Sequence, residues 1–165
     1  QDPQTLVSFG ALTFSVMKPS SRGELRLRSA DPLAPPRIRL AHLDTADDRA
    51  RMREGLLLAR RVARTAPLSS LIAGAEISPA PGIADDDGAA LDAALLAKVS
   101  TYHHAVGTCA MGPDPERGAV VDARGRVHGL EGLIVADASI MPTIPAANTH
   151  LPTVMIAERI AAWLT

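Results

Sequence analysis

The sequence has one cysteine, few aromatic residues and no long apolar run. Cys109 on its own excludes an internal disulfide and every metal motif built from paired cysteines. Tyr102, Trp163, Phe9 and Phe14 are the only aromatic residues, which is too few for a stacking platform of the kind that binds single-stranded nucleic acid. No apolar run approaches the roughly 18 residues of a membrane-spanning helix, so we expect a cytoplasmic protein with no membrane span.

The sequence also lacks an excess of charge of either sign. Lys and Arg number 17, Asp and Glu number 18, and the formal net charge is −1. Such a balance gives no field that would attract nucleic acid or an anionic membrane, and we expect neither as a partner. The length of 165 residues, with 47% hydrophobic residues, suits one domain or a large piece of one.

Short extended segments and amphipathic helices alternate along the chain. Apolar alternation predicts strands over residues 8–17 and 24–28, paired as an antiparallel hairpin. An uninterrupted apolar run predicts a strand buried on both faces over 133–136. The chain is therefore expected to adopt an α+β fold, with an antiparallel sheet and helices on one side.

Three helices are predicted from capping residues and helical periodicity. Thr45 can cap the first helix, Asp87 the second, and Pro152 suits the first turn of the third. Six arginines on the first helix are interpreted as a solvated face: Arg49, Arg51, Arg53, Arg60, Arg61 and Arg64. The third helix is mostly apolar, so it is expected either to expose an apolar patch or to form a homodimer that covers it.

Two histidines on separate loops form the main candidate site. His104 precedes a glycine turn in residues 103–112, and His150 lies just before Pro152 in residues 148–153. Imidazole, with an ordinary pKa of about 6.5, can both accept and donate a proton near neutrality. A pair of imidazoles could serve one reacting centre, whereas His42 and His128 are interpreted as structural.

Asp137 follows the apolar run and precedes the last helix. Ligands often bind at the carboxyl ends of strands, and the start of a helix favours negative charge. A cofactor that becomes anionic would be stabilised there.

Two other uses of these residues remain open alternatives. A zinc site would recruit His103, His104, Cys109 and His150, although it lacks the close paired spacing of structural zinc sites. Cys109 could also act as a nucleophile, but its apolar surroundings favour an inert buried thiol.

Three stretches resemble the C-terminal portion of the glucose-methanol-choline oxidoreductases, a family of FAD-dependent alcohol oxidases and dehydrogenases. They are residues 21–32, 104–112 and 132–158. The first family signature usually reads His-Pro-Val-Gly-Thr-Cys-x-Met-Gly, so His104 falls on its catalytic histidine and Ala105 replaces the common proline. In the second signature His150 occupies a position that usually carries Asn or His.

The resemblance implies a choline dehydrogenase-like alcohol oxidoreductase acting on a small alcohol. His104 would remove the proton of the substrate hydroxyl, the carbon would pass hydride to flavin N5, and His150 would orient the alcohol. The residues implied to bind FAD are Asp137, Ala138, Asn148, Thr149, His150 and Pro152.

The glycine-rich dinucleotide-binding motif of the family, Gly-x-Gly-x-x-Gly, is absent from this sequence. We therefore expect residues 1–105 to be part of the substrate-binding domain. Residues 106–165 would carry the catalytic loop and a C-terminal strand and helix that complete the FAD-binding domain. A missing N-terminal half, or a partner chain, would supply most of the FAD site, and a non-catalytic binding module of the same scaffold is the alternative function.

Overall fold

The computed structural model describes residues 10–164. It contains a two-stranded antiparallel sheet and three α-helices, which confirms the α+β expectation. The strands are β1 (Glu24–Arg26) and β2 (Arg37–Arg39), and the helices are α1 (Ala46–Ala63), α2 (Gly88–Lys98) and α3 (His150–Ala161). In this part of the chain no helix is long and apolar enough to cross a membrane.

The pairing of β1 differs from the prediction. Its partner is β2, with Leu25 opposite Ile38, whereas the predicted partner over 8–17 begins outside the described residues and forms no strand from residue 10 onward. The turn residues that follow Met17 do not fold the chain back on itself. The antiparallel partner is instead β2, which follows the connection that contains Pro32, Pro35 and Pro36. The ladder hydrogen bonds of β1 are therefore made with β2.

The predicted strand over residues 133–136 is also shorter in the structure. Only Ile134 takes part in a bridge, with Arg126, and Leu133 is half exposed. A tight turn follows Val121, since Val121 bridges Val127 in antiparallel fashion.

The helix starts follow the sequence signals closely. Thr45 accepts a hydrogen bond from the Asp48 N–H at 3.2 Å, and Asp87 accepts one from the Ala90 N–H at 3.0 Å. Both interactions satisfy N–H groups that have no partner inside the helix.

The described chain divides into two compact units. The first comprises residues 10–16 and Leu43–Val99, and the second comprises Met17–His42 and residues 100–164. The core of the first unit is made by α1, α2 and the loop between them. The core of the second unit joins α3 to the turn near Val121 and contains Val121, Ile140 and Ile160.

Arg60 is buried within the first unit, so the interpretation of all six arginines as a solvated face is wrong at this position. Its guanidinium donates to Glu76 at 2.7 Å and to Asp85 at 2.6 Å, and also to the carbonyls of Ala80 and Ile83 at 2.8 and 3.0 Å. The hydrogen bond that Arg60 donates to Glu76 raises the pKa of Arg60 above its ordinary value. This Arg60 cluster ties residues 76–85 to α1.

Candidate functional site

The loop that follows His104 lies along the segment that leads to α3. The N–H of Cys109 donates to the carbonyl of Ser139 at 2.9 Å. Two residues later, the N–H of Met111 donates to the carbonyl of Ile140 at 2.8 Å. These bonds hold two stretches together that are far apart in the sequence.

Gly107 allows this close approach. Its φ is +84°, in the left-handed region that favours glycine, and a Cβ at this position would lie 3.2 Å from the carbonyl oxygen of Met141. The glycine after the predicted catalytic histidine therefore lets this loop pack closely against the backbone at Met141.

The imidazole of His104 is bound to the residue that precedes α3. Its Nδ1 lies 2.9 Å from Oγ1 of Thr149, and the side chain of His104 is half-buried while Thr149 is only 7% exposed. Thr149 occupies the N-cap position of α3, yet its side chain makes no capping bond to that helix. The hydroxyl is thus used by the histidine and not by the helix.

Tyr102 contacts the same imidazole. The two rings meet at right angles, with centroids 4.8 Å apart and planes inclined at 82°. Tyr102 is the only tyrosine of the chain and stands two residues before His104. Neither this ring contact nor the Thr149 hydroxyl bond was predicted from sequence, because both depend on how the loops fold.

His150 is the first residue of α3 and its side chain is exposed. The ring of His104 therefore bonds to Thr149, the residue immediately before His150. Nearby, Asn148 is exposed and Pro152 is half-buried within the first turn of α3. Asn148 and His150 are thus exposed on either side of the buried Thr149 at the start of this helix.

Asp137 and Ala138 begin a short 3-10 turn on the same segment. Asp137 is exposed, and its Oδ1 accepts a hydrogen bond from the Ser139 N–H at 2.8 Å. Ala138 is half-buried. The aspartate therefore acts as a local turn-former, and this contact uses one of its two carboxylate oxygens.

His128 and Cys109 lie on or near the loop that follows His104. Nε2 of His128 lies 2.9 Å from the Gly112 carbonyl, and because a carbonyl only accepts, the ring must donate there. Cys109 is half-buried and carries a free thiol. Within residues 10–164, no three His, Cys, Asp or Glu side chains are grouped so as to hold a metal ion, so the zinc alternative has no ligand cluster there.

The start of α3 is chemically suited to a group that carries negative charge. An α-helix carries partial positive charge at its N-terminus, where its first N–H groups lack partners within the helix. No side-chain cap occupies these groups at α3, unlike at α1 and α2. The chemistry of the residues present is thus compatible with a cofactor that becomes anionic.

Comparison with known proteins shows which family this chain is similar to. The family model described as GMC oxidoreductase matches residues 19–157. Oxygen-dependent choline dehydrogenase 1 of Chromohalobacter salexigens is 42% identical over 145 residues, covering 88% of this chain and 25% of the relative. The 5-(hydroxymethyl)furfural oxidase of Methylovorus sp. is 43% identical over 157 residues, covering 90% of this chain and 30% of the relative.

Solved structures give the same result. Pyridoxine 4-oxidase from Mesorbium loti has a TM-score of 0.74 and 35% identity, covering 89% of this chain and 28% of that protein. Formate oxidase of Aspergillus oryzae RIB40, from work on FAD modification, has a TM-score of 0.77 and 29% identity, covering 85% and 24%. The chain spans only about a quarter to a third of the length of these relatives.

Proposed function

The chain belongs to the GMC oxidoreductase family, and we propose that it carries the catalytic histidine of an FAD-dependent oxidoreductase that acts on the CH–OH group of a small alcohol. Members of this family depend on FAD. The single observation that carries the proposal for this chain is the bond between His104 Nδ1 and Thr149 Oγ1. This bond joins the two signature segments at one side chain.

His104 is proposed to accept the proton of the substrate hydroxyl at Nε2. Because Nδ1 faces the threonine hydroxyl at 2.9 Å, the other ring nitrogen is the one left for substrate. For Nε2 to act as a base, Nδ1 must carry the ring proton and donate it to Oγ1 of Thr149. The imidazole then holds the abstracted proton as an imidazolium.

His150 is proposed to bind the oxygen of the alcohol. Its side chain is exposed at the start of α3, directly after the residue that holds His104. A ring N–H at this position can donate to the substrate oxygen and stabilise the negative charge that develops as the proton leaves. The pair of imidazoles would thus divide the work between proton removal and orientation.

FAD, when bound, would supply the acceptor for the hydride of the alcohol carbon. The residues proposed to face it are Asn148, Thr149, His150 and Pro152 at the start of α3, and Asp137 and Ala138 on the segment before it. The partial positive charge at the start of α3 would stabilise negative charge on the flavin ring.

The remainder of the enzyme is proposed to supply the rest of the FAD site. The relatives are three to four times longer than their match to this chain, and no glycine-rich dinucleotide motif is present in the sequence. On α3, Leu151 is 74% exposed and Met155 is 60% exposed. This exposure agrees with the predicted apolar patch, and we propose that the remainder of the enzyme covers it, with a homodimer as the other arrangement that would do so.

The relatives do not share one substrate. The matched relatives are named for choline, hydroxymethylfurfural, pyridoxine and formate, which differ in charge and size. The proposal therefore stops at the reaction class.

The test is flavin reduction by the complete FAD-containing enzyme, followed by stopped-flow absorbance with a panel of alcohols. His104→Ala is expected to lower the reduction rate by about two to four powers of ten, the usual contribution of a general base. The matched control is His103→Ala, because this neighbouring histidine is exposed and it is the ring of His104 that bonds to Thr149. An unaltered rate in His104→Ala would remove His104 from the role, and a wild-type enzyme that no alcohol reduces would favour the non-catalytic binding module.

A further inference from the structure

The start of α3 differs from the starts of the other two helices. Thr45 and Asp87 both turn their side-chain oxygens toward N–H groups of their own helices. Thr149 holds the same N-cap position but directs its hydroxyl to Nδ1 of His104. Because Ser, Thr and Asp are favoured at N-caps for their capping bond, the missing bond at α3 points to another use of this side chain.

The backbone of Thr149 is fixed independently of that hydroxyl. Its carbonyl accepts from both the N–H of Thr153, at 2.9 Å, and the hydroxyl of Thr153, at 2.7 Å. With the residue 7% exposed and its backbone held by the first turn of α3, the hydroxyl has a fixed place in the structure. His104 therefore meets a rigid partner and not a mobile side chain.

A hydroxyl can serve Nδ1 in both states of the proposed base. In the form ready to accept a proton, Nδ1–H donates to Oγ1 and Nε2 carries the lone pair. After proton transfer the ring is an imidazolium, and Nδ1–H still donates to the same oxygen, now in a stronger charge-assisted bond. The bond at Nδ1 is thus kept through the step and strengthens as the ring becomes charged.

Tyr102 limits the other motion of the ring. The imidazole of His104 is thus contacted twice, by the edge-to-face ring of Tyr102 and by the hydrogen bond at Nδ1. A ring held at one nitrogen and packed against a neighbouring ring keeps its orientation between turnovers, which matters because small errors in the placement of a base lower its rate.

We infer that Thr149 is a positioning residue for His104, holding the imidazole through Nδ1 so that Nε2 faces the alcohol and supporting the positive charge of the loaded base. The inference rests on the proposed role of His104. It predicts that the hydroxyl, and not the shape of the side chain, determines the rate of the proton-removal step.

The experiment compares Thr149→Val, Thr149→Ser and His104→Ala in the complete FAD-containing enzyme. Thr149→Val keeps the shape but loses the hydroxyl, and it is expected to slow flavin reduction at saturating alcohol roughly ten- to a hundredfold, as for loss of a hydrogen bond to a charged group. The alcohol concentration at half-saturation is expected to change by less than about threefold, because the lost bond acts on the chemical step. Thr149→Ser restores the hydroxyl and is expected to restore most of the rate.

Thr65→Val is the matched control. It removes a threonine hydroxyl that donates to the carbonyl four residues earlier, that of Arg61 at 2.7 Å, in the first unit and outside the proposed site, and its reduction rate is expected to stay close to that of the wild type. The flavin absorbance of each purified variant is measured first. Should Thr149→Val purify without flavin, Thr149→Ala and Thr149→Ser are compared in its place, and equal rates for these two would overturn the inference.

The outcomes separate this inference from the proposed function. If His104→Ala is slow while Thr149→Val matches the wild type, the positioning role is wrong and the base assignment stands. Equal slowing by Thr149→Val and Thr149→Ser also overturns the role, because the hydroxyl would then be irrelevant. If His104→Ala itself keeps the wild-type rate, the proposed function fails.

Discussion

Replacing Arg60 with methionine is expected to free residues 76–85 from α1. Methionine keeps an unbranched apolar stem of similar reach but makes none of the four hydrogen bonds of the guanidinium. The carbonyl of Ala80, a residue that is fully buried, would lose its partner. A buried acceptor left without a hydrogen bond costs about 1–3 kcal/mol.

The other partners of Arg60 set the rest of the loss. Glu76 is one-quarter exposed and would keep part of its hydration, so the lost ion pair contributes about 1 kcal/mol. Asp85 keeps its bond to Arg64 and is open to water. The free energy that holds this segment in place is therefore expected to fall by about 2–4 kcal/mol.

Amide hydrogen exchange measures the change directly. The N–H of Ala80 donates to Glu76 Oε1 at 3.0 Å, so its protection reports the state of the Arg60 cluster. Exchange of peptides covering residues 76–85 is expected to accelerate roughly 30- to 900-fold in Arg60→Met. Arg61→Met is the control, because the neighbouring arginine is exposed, and its effect is expected to stay below about 0.5 kcal/mol. Equal protection in the wild type and Arg60→Met would refute the reasoning.

Two further predictions concern acid and a glycine. The hydrogen bonds from Arg64 and then Arg60 hold the pKa of Asp85 below its ordinary value of 3.8, so the stabilisation from this carboxylate is present above that pH and is lost as the pH falls through the lower folded value. The carboxyl carbon resonance of Asp85 should therefore titrate below 3.8, and Arg64→Met should move the midpoint upward. Gly125→Ala should destabilise the second unit far more than Gly118→Ala in thermal unfolding: both glycines have positive φ, but only at Gly125 would a Cβ meet a backbone oxygen, at 2.5 Å. Similar losses in the two variants would show that close packing at Gly125 does not matter.

Helix starts and the family assignment could be predicted because their signals are local. Thr45 and Asp87 cap their helices as the sequence indicates, since an N-cap depends only on residues within one turn. Strand pairing is different. The partner of β1 depends on which distant segment reaches it, and the alternation over residues 8–17 carries no information about that choice.

The contacts around His104 could be predicted only in part. The motif identified His104, but its hydrogen bond to Thr149 and its ring contact with Tyr102 depend on how the chain folds. The burial of Arg60 was missed for a similar reason, because its carboxylate partners come from a loop 16 and 25 residues further along the chain. Residue types on a helix surface do not show which of several arginines will meet such a loop.

The interleaving of the two compact units along the chain affects how this protein can be made and cut. Residues 17–42 leave the ribosome before the stretch that completes the first unit, yet they belong with residues 100–164, which are synthesised after that stretch. The first unit can therefore fold before residues 100–164 are made. During that time residues 17–42 form a loop whose two ends are attached to the first unit and whose own packing partner has not yet been synthesised. No single cleavage between residues 17 and 99 separates the two units intact. Expressing either unit alone would require a new linker between two stretches that are not consecutive in the sequence.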